Sequence, residues 1–230
     1  MTTLKLLSGG AAQGLVTALA PRFEADTGTR IEGEFGAVGA MAAKLRAGKP
    51  TDLLILTAAL IAELAREGYV TGAAADVGVV HTAVAVRASD PALHISDADA
   101  LRAALTAADE IYLPDPQQAT AGIHFAKVLE NLGIRNAVAP RLKAFPNGAT
   151  AMRALAASRS ARPIGCTQAT EILNTPGVTL VGPLPSGCDL ATVYTAAVGA
   201  KASSPGPAEQ FAALLAAGSS REARRRAGFT

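Results

Sequence analysis

The chain has 230 residues, a length that fits one large domain or two small lobes. Half of the residues are hydrophobic and 17% are charged, so the composition is that of a globular protein and not of a disordered one. The net charge of +2 is too close to zero for a protein that binds nucleic acid through its phosphates, and no apolar run approaches the roughly 20 residues of a membrane-spanning helix.

Strands and helices alternate along the first part of the chain. The apolar run Leu4–Leu7 ends in Ser8-Gly9-Gly10, which predicts a strand followed by a glycine turn. Apolar residues then recur every four positions in Ala11–Asp26, as in a helix that ends before Gly28. The same signals predict strands at Thr29–Phe35 and Asp52–Leu56 and helices at Ala40–Ala47 and Ala58–Glu67. This repeat predicts a parallel sheet with helices on both faces.

The alternation resumes after Arg87 and continues to the end of the chain. It predicts strands at Ile111–Leu113, Lys143–Phe145, Ile164–Thr167 and Val178–Val181 and helices at Asp97–Ala108, Thr120–Leu132, Asn147–Ser158, Ala169–Leu173, Pro207–Ala217 and Ser220–Ala227. Two longer strands, Val77–Arg87 and Leu190–Val198, bracket the middle block. We therefore expect an α/β protein of two lobes, with residues 1–80 plus 200–230 in one, 88–188 in the other, and 77–87 and 190–198 as crossing hinge strands.

Several common catalytic sites have no counterpart in the sequence. It contains no Gly-x-x-x-x-Gly-Lys-Ser/Thr phosphate loop, no Gly-x-Gly-x-x-Gly dinucleotide motif and no Gly-x-Ser-x-Gly nucleophile elbow. With three histidines and no Cys-x-x-Cys pair, we expect neither a metal site nor a cofactor. Cys166 and Cys188 are expected to be reduced thiols, and whether they pair is left open.

Small and polar residues occupy the places where predicted strands pass into helices. In an α/β sheet, ligands bind at the carboxyl ends of strands, where helix N-termini present free N–H groups and the positive end of the helix dipole. Five junctions of this kind contain Gly, Ser, Thr or amide side chains and no Lys or Arg: Ser8–Ala11, Gly36–Gly39, Asp115–Gly122, Asn147–Thr150 and Cys166–Thr170. They predict a cleft between the lobes that binds a small anion through backbone amides.

The order of several motifs resembles that of the molybdate-binding proteins of ABC transporters. The resemblance covers essentially the whole chain and is carried by the Ser/Gly turn after the first strand, Phe35–Lys44, Ala47–Leu53, Asp115-Pro116 with Ala121-Gly122-Ile123, Pro163-Ile164-Gly165 and the terminal Arg226–Phe229. It implies a type II periplasmic-binding fold with two lobes, two crossing strands and a ligand enclosed by hinge closure. It also implies an ABC permease as partner if the chain is exported.

Some positions depart from the family pattern, in which serine hydroxyls at the first two junctions and a tyrosine hydroxyl near the fifth bind a tetrahedral oxyanion. Here Gly10–Ala12 follow Ser8, Val38 and Gly39 replace serines, and Gln168 stands at the tyrosine position. Because a desolvated oxyanion needs those donors, we expect a di- or tricarboxylate and not molybdate. The expected ligand-binding residues are Ser8, Gly9, Gly10, Gly39, Ala121, Gly122, Ala149, Thr150, Thr167 and Gln168.

Relatives of this family include an aconitate isomerase, so an intracellular isomerase or lyase acting on an unsaturated carboxylate in the same cleft is the alternative function. Such a reaction needs a base beside an acidic C–H group and donors for the developing negative charge. Asp115, His124 and Cys166 are the candidates. Each also has an ordinary structural interpretation, as a turn residue, a solvated or paired histidine and a small core residue. The choice between binding and catalysis is left open.

The N-terminal residues Met1–Leu7 lack the cationic segment and longer apolar stretch of a secretory leader. As written, the chain is expected in the cytoplasm, and in the periplasm if a leader has been removed. A small anionic ligand is the expected partner, without nucleic acid and without insertion into a membrane.

Overall fold

The computed structural model describes residues 2–91 and 93–230, with the backbone alone at Ala73. Its strands are β1 (Thr2–Gly9), β2 (Thr29–Gly36), β3 (Leu53–Thr57), β4 (Val70–Arg87), β5 (Glu110–Pro114), β6 (Leu142–Phe145), β7 (Pro163–Gln168), β8 (Val178–Pro183) and β9 (Ala191–Gly199). Its helices are α1 (Gln13–Thr27), α2 (Val38–Arg46), α3 (Ala58–Arg66), α4 (Ala98–Ala107), α5 (Thr120–Asn131), α6 (Arg135–Val138), α7 (Gly148–Ala156), α8 (Ala169–Leu173), α9 (Pro205–Ala216) and α10 (Arg221–Arg226). The chain divides into two units, one made of the residues up to Val80 together with Thr192–Thr230 and the other of His81–Ala191.

In the first unit, β1 lies between two strands that run parallel to it. It pairs with β2 on one side and β3 on the other, and β3 also pairs antiparallel with β9. Because β1, β2 and β3 are parallel, their carboxyl ends lie at one edge of the sheet, where Gly9 is aligned with Gly36. Every residue from Leu53 to Leu56 is fully buried, as the apolar run predicts for a strand covered on both faces.

The helices of the first unit cover this sheet with apolar side chains. Helix α1 buries Leu15, Leu19 and Phe23, and the ring centroid of Phe23 lies 4.9 Å from that of Phe211 in α9. Gly28 ends α1 in the left-handed conformation, with a φ of 68°, which a residue without a Cβ adopts at little cost. The predicted glycine stop of this helix is therefore confirmed.

A buried carboxylate links the start of β3 to the segment that leads into α9. Asp52 is 1% exposed, and one of its oxygens accepts a hydrogen bond from the backbone N–H of Lys5 at 2.8 Å. The other oxygen accepts from the backbone N–H groups of Ser203 and Ser204 at 2.6 and 3.0 Å and from the Ser203 hydroxyl at 2.9 Å. Asp52 therefore satisfies three backbone N–H groups on two separate segments of this unit.

In the second unit, β5 occupies the position that β1 has in the first. It runs parallel to both of its neighbours, β6 and β7, so the carboxyl ends of these three strands share one edge. Strand β7 pairs antiparallel with β4, which also pairs with β8. Two apolar clusters form the core, one including Phe125 and Leu129 of α5 and the other including Met152 and Leu155 of α7.

The predicted α/β class is confirmed, and the two helices predicted to begin at Asp97 and Asn147 are each capped by that residue. Asp97 accepts from the N–H of Ala100 at the start of α4, and Asn147 accepts from the N–H of Thr150 at the start of α7. Two features differ from the sequence-based expectation. Strand β4 begins at Val70, well before the predicted Val77, and the added stretch contains Gly72, Ala74 and Ala75, residue types that are depleted in strands and therefore give no strand signal. The short helix α6 was not expected.

The two predicted hinge strands differ in how they are divided between the units. Strand β9 belongs almost entirely to the first unit, and β4 passes from the first unit into the second. Their action as hinge strands stays a prediction.

Within the described residues, we find no helix with the length and apolar character needed to cross a bilayer.

Candidate functional site

The first junction, at the end of β1, is tightly packed. Ser8 is fully buried, and its hydroxyl donates a hydrogen bond to the carbonyl oxygen of Gly9 at 2.9 Å. A Cβ added at Gly9 would lie 2.9 Å from both a ring carbon of Tyr194 and a methyl carbon of Val38. The glycine therefore permits a close approach of β1, β9 and the start of α2. A single turn of 3-10 helix, Gly10–Ala12, follows and leads into α1.

The second junction leaves the N-terminus of α2 open. Helix α2 begins at Val38, its N-cap residue is Ala37, and no side chain caps it. The first N–H groups of a helix have no acceptor within the helix, so Gly39, in the first turn of α2, belongs to the set of amides that a ligand can use. The neighbouring α3 differs, because the Thr57 hydroxyl accepts from the N–H of Leu60.

In the second unit, the junction after β5 also lacks a side-chain cap. Helix α5 has Ala119 as its N-cap, and Ala121 and Gly122 lie buried in its first turn. A Cβ at Gly122 would lie 2.3 Å from the carbonyl oxygen of Asp115 and 2.4 Å from that of Pro114. The absence of a side chain thus brings the start of α5 directly against the backbone at the end of β5.

The junction before α7 is closed by side chains of this chain. Asn147 caps the N–H of Thr150 at 2.9 Å. The carboxylate of Glu171 also interacts with the backbone N–H groups of Gly148 and Ala149. Two of the residues expected to bind the ligand, Ala149 and Thr150, thus have internal acceptors for their amides, and their role in binding stays a prediction.

The junction after β7 combines one engaged and one unpartnered polar side chain. The Thr167 hydroxyl donates to Oε2 of Glu171 at 2.5 Å, and both residues are buried. Gln168 is 3% exposed, and neither its Nε2 nor its Oε1 has a hydrogen-bond partner. The hydroxyls of Thr170 and of Thr82, which is aligned with Gln168 across β4 and β7, are also buried without a partner.

Glu171 is a buried acid beside this junction. Burial raises its pKa above the ordinary value, and the hydrogen bonds from the Thr167 hydroxyl and from the amides of Gln168, Ala149 and Gly148 oppose that rise without cancelling it. The N-terminal amides of α7 thus face a carboxyl group that is more easily protonated than an exposed glutamate.

The three catalytic candidates all have structural roles. Asp115 Oδ1 accepts hydrogen bonds from the backbone N–H groups of Gln117 and Gln118. His124 Nε2 lies 2.8 Å from the carbonyl oxygen of Cys188, to which it donates. Cys166 is fully buried, and this burial raises the pKa of its thiol far above the ordinary value. This geometry favours turn, packing and core roles for the three residues over roles as base or nucleophile.

We predict that neither cysteine reacts with a thiol reagent in the folded chain. Both thiols are free, Cys166 is fully buried and Cys188 is 5% exposed, and burial raises the pKa of each. The disulfide reagent DTNB should react slowly with the folded chain and rapidly with both cysteines in urea, as measured by the 2-nitro-5-thiobenzoate that the reagent releases. A fast reaction in the folded chain that disappears in Cys166→Ala would contradict the core role of Cys166.

Sequence reasoning missed two side chains near this junction and anticipated a third. Gln168 was expected from its position, but Thr82 lies in an apolar strand far away in sequence, and only strand pairing reveals it. From the sequence, Glu171 would be expected on the surface of a short helix. Its burial follows from the packing of α7 on α8. Within the described part of the chain, no three His, Cys, Asp or Glu side chains are grouped so as to hold a metal ion.

Comparison with known proteins supports the resemblance seen in the sequence. The profile of the family described as bacterial extracellular solute-binding protein matches residues 4–230. An aconitate isomerase from a Pseudomonas species is 26% identical over 223 residues, which cover 94% of this chain and 83% of that protein.

Solved structures show the same fold at low identity. The periplasmic molybdate-binding protein of Azotobacter vinelandii has a TM-score of 0.82 at 19% identity, covering 99% of this chain and 98% of that one. The sulfate-binding protein SubI of Mycobacterium tuberculosis H37Rv has a TM-score of 0.78 at 21% identity, covering 100% of this chain and 86% of that one. The chain therefore belongs to the family of bacterial extracellular solute-binding proteins and has the type II periplasmic-binding fold.

Proposed function

We propose that this protein is a solute-binding protein that captures a small organic anion, a di- or tricarboxylate, at the carboxyl ends of its parallel strands. The observation that carries the proposal is the combination of uncapped N-termini on α2 and α5 with the buried, unpartnered amide of Gln168. Membership of the family supports the general function, and these residues support the kind of ligand.

Backbone amides supply the positive potential for such an anion. The junction residues include no Lys or Arg, so binding relies on N–H groups and the helix dipole, as in other anion sites at helix N-termini. Gly39 in α2 and Ala121 and Gly122 in α5 lie in first turns that no side chain caps. Helices α3, α4 and α7 are capped by Thr57, Asp97 and Asn147 and are for that reason the weaker candidates.

The side chains favour a carboxylate over a tetrahedral metal oxyanion. The Ser8 hydroxyl already donates to a carbonyl oxygen, and Val38 and Gly39 have no hydroxyl to offer. A desolvated oxyanion such as molybdate needs a donor for each of its oxygens, and a missing bond to a charged group costs about 1.5–3 kcal/mol. A carboxylate spreads its charge over fewer oxygens at each end and needs fewer donors there.

The alternative is isomerisation of an unsaturated carboxylate. The similarity to an aconitate isomerase favours it. The engagement of Asp115, His124 and Cys166 in internal contacts argues against these three as the base. An enzymatic function therefore requires a base from another position, and the same ligand screen addresses both functions.

A thermal-shift screen of the full chain tests the proposal. We expect L-malate, citrate or trans-aconitate to raise the unfolding temperature, because a ligand that binds only the folded state stabilises it by RT ln(1 + [L]/Kd). Molybdate and sulfate should have a smaller effect. The largest stabilisation by molybdate would contradict the proposal, and slow conversion of trans-aconitate, followed by proton NMR, would establish the isomerase.

Closure, transport and location also stay proposals. Closure around the ligand predicts a smaller radius of gyration by small-angle X-ray scattering after addition of the stabilising acid.

Transport requires an ABC permease as partner and a periplasmic location. A cytoplasmic location, measured by fractionation of the native cell, would favour the enzyme.

A further inference from the structure

We propose that the ligand must itself donate a hydrogen bond to Oε1 of Gln168, so that the preferred ligands are hydroxycarboxylates. This inference rests on the proposed function, because it concerns the same site and narrows the class of organic acid. It is carried by three buried polar residues of the second unit, Thr82, Gln168 and Thr170, which we call the Gln168 cluster.

The Gln168 cluster stands out among the buried polar side chains of the described residues. Thr82 is fully buried, and Gln168 and Thr170 are each 3% exposed. All four of their side-chain polar atoms lack a partner, whereas elsewhere in the described chain only Thr192 and Ser220 have such an atom. Buried polar groups are almost always paired in folded proteins, so a cluster without partners indicates a place where polar groups are kept for a ligand.

Strand pairing brings the members of the cluster together. Thr82 of β4 is aligned with Gln168 of β7, and aligned residues of paired strands place their side chains on the same face. Thr170 follows two residues later, in the first turn of α8. Gln168 is itself the N-cap residue of α8, yet its side chain does not cap the helix. The cluster therefore lies at the carboxyl end of β7, on the edge that also carries the start of α5.

The chemistry of an amide sets the requirement on the ligand. Nε2 can only donate, Oε1 can only accept, and a threonine hydroxyl does either. A carboxylate or a fully deprotonated oxyanion satisfies Nε2 and the hydroxyls but has no hydrogen for Oε1. A ligand with a hydroxyl beside its carboxylate satisfies both ends of the amide. A site that pairs with a ligand hydroxyl discriminates against the analogue without it, because Oε1 then stays unpaired.

The test compares acids that differ by one hydroxyl. L-Malate is paired with succinate and citrate with tricarballylate, and dissociation constants are measured by calorimetry on the full chain. In the wild type we expect each hydroxy acid to bind at least about tenfold more tightly than its partner. In Gln168→Met, which keeps the size of the side chain and removes both polar atoms, we expect that ratio to fall to about one. Gln210→Met, on the exposed side of α9, is the matched control and should keep the wild-type ratio.

A second readout separates a ligand contact from a structural one. Because the amide has no internal partner, the ligand-free Gln168→Met chain should unfold at or above the wild-type temperature. A lower unfolding temperature with an unchanged ratio would assign Gln168 a structural role and overturn the inference. If Gln168→Met does not fold, Gln168→Glu replaces it. This variant should bind both acids of each pair more weakly than the wild type at neutral pH.

The outcomes also distinguish this inference from the proposed function. Equal affinities for malate and succinate in the wild type would overturn the donor requirement and leave capture of an organic acid intact. No binding of any organic acid would overturn the proposed function itself.

Discussion

Gly122→Ala is expected to destabilise the chain by about 3 kcal/mol, near the upper end for overpacking, because its Cβ would meet backbone that cannot rotate away. The two nearest atoms are the carbonyl oxygens of Asp115 and Pro114, at 2.3 and 2.4 Å. For a chain of this size the loss corresponds to a fall in unfolding temperature of roughly 6–12 °C. The variant should also bind the stabilising organic acid at least about tenfold more weakly, because the first turn of α5 is displaced from its position on β5.

Gly206→Ala provides the control for this prediction. Gly206 lies near the start of α9, and a Cβ added there meets no atom within 4 Å apart from its chain neighbours and the backbone of its own helix. Alanine favours a helix over glycine by up to about 1 kcal/mol, but Pro207 disfavours the helical conformation of a preceding residue that carries a Cβ, so this variant should stay within about 1 kcal/mol of the wild type. A Gly122→Ala chain that unfolds at the same temperature as Gly206→Ala would show that α5 and β5 do not approach as closely as described.

Asp52→Ala is expected to be the most damaging of the polar substitutions, with a loss of about 3 kcal/mol or more in the free energy of unfolding. The alanine leaves the backbone N–H groups of Lys5, Ser203 and Ser204 without the carboxylate that accepts from them. Asp52→Asn keeps one acceptor and should fall between wild type and Asp52→Ala. Urea denaturation followed by circular dichroism measures the free energy of unfolding of wild type, Asp52→Asn and Asp52→Ala. The control is Asp26→Ala, at an exposed acid of α1, which should change that free energy by less than about 0.5 kcal/mol.

The contribution of Asp52 should also depend on pH. Burial alone would raise the pKa of Asp52, but the hydrogen bonds from Lys5, Ser204 and Ser203 outweigh burial and lower the pKa below its ordinary value. A carboxyl group whose pKa is lower in the folded state stabilises the protein fully above the unfolded pKa of about 4 and loses this effect as the pH falls through the folded pKa. The difference between wild type and Asp52→Ala should therefore shrink from pH 7 to pH 3. A constant difference would contradict the hydrogen bonds from Lys5, Ser203 and Ser204 to the ionised Asp52 carboxylate.

Signals that depend on a few adjacent residues made part of the fold predictable from the sequence. The left-handed conformation of Gly28 ends a helix, and the side chains of Asp97 and Asn147 cap helix starts, each where the sequence predicts a helix end or start. The five-residue helix α8 was predicted with its observed bounds, Ala169–Leu173. The early start of β4 was not predictable, because Gly72, Ala74 and Ala75 are residue types that are depleted in strands.

The places of some candidate residues at helix starts were predictable from the sequence, but their contacts with distant segments were not. The sequence places Gly39, Ala121 and Gly122 at helix starts, and the structure leaves those helices uncapped. It does not reveal that Glu171 interacts with the amides before α7 or that Thr82 is aligned with Gln168, because both contacts join segments that are far apart in the chain. The first junction likewise offers a serine whose hydroxyl is already engaged.

Backbone amide NMR tests the central claim most directly, because the claim is that N–H groups bind the anion. A titration of the ¹⁵N-labelled chain with the organic acid that stabilises it most should shift the amide resonances of Gly39, Ala121 and Gly122 and the side-chain amide of Gln168. The amides at the capped starts of α3 and α4 should move least. Shifts confined to those capped helices, or an absence of shifts at the starts of α2 and α5, would contradict the account.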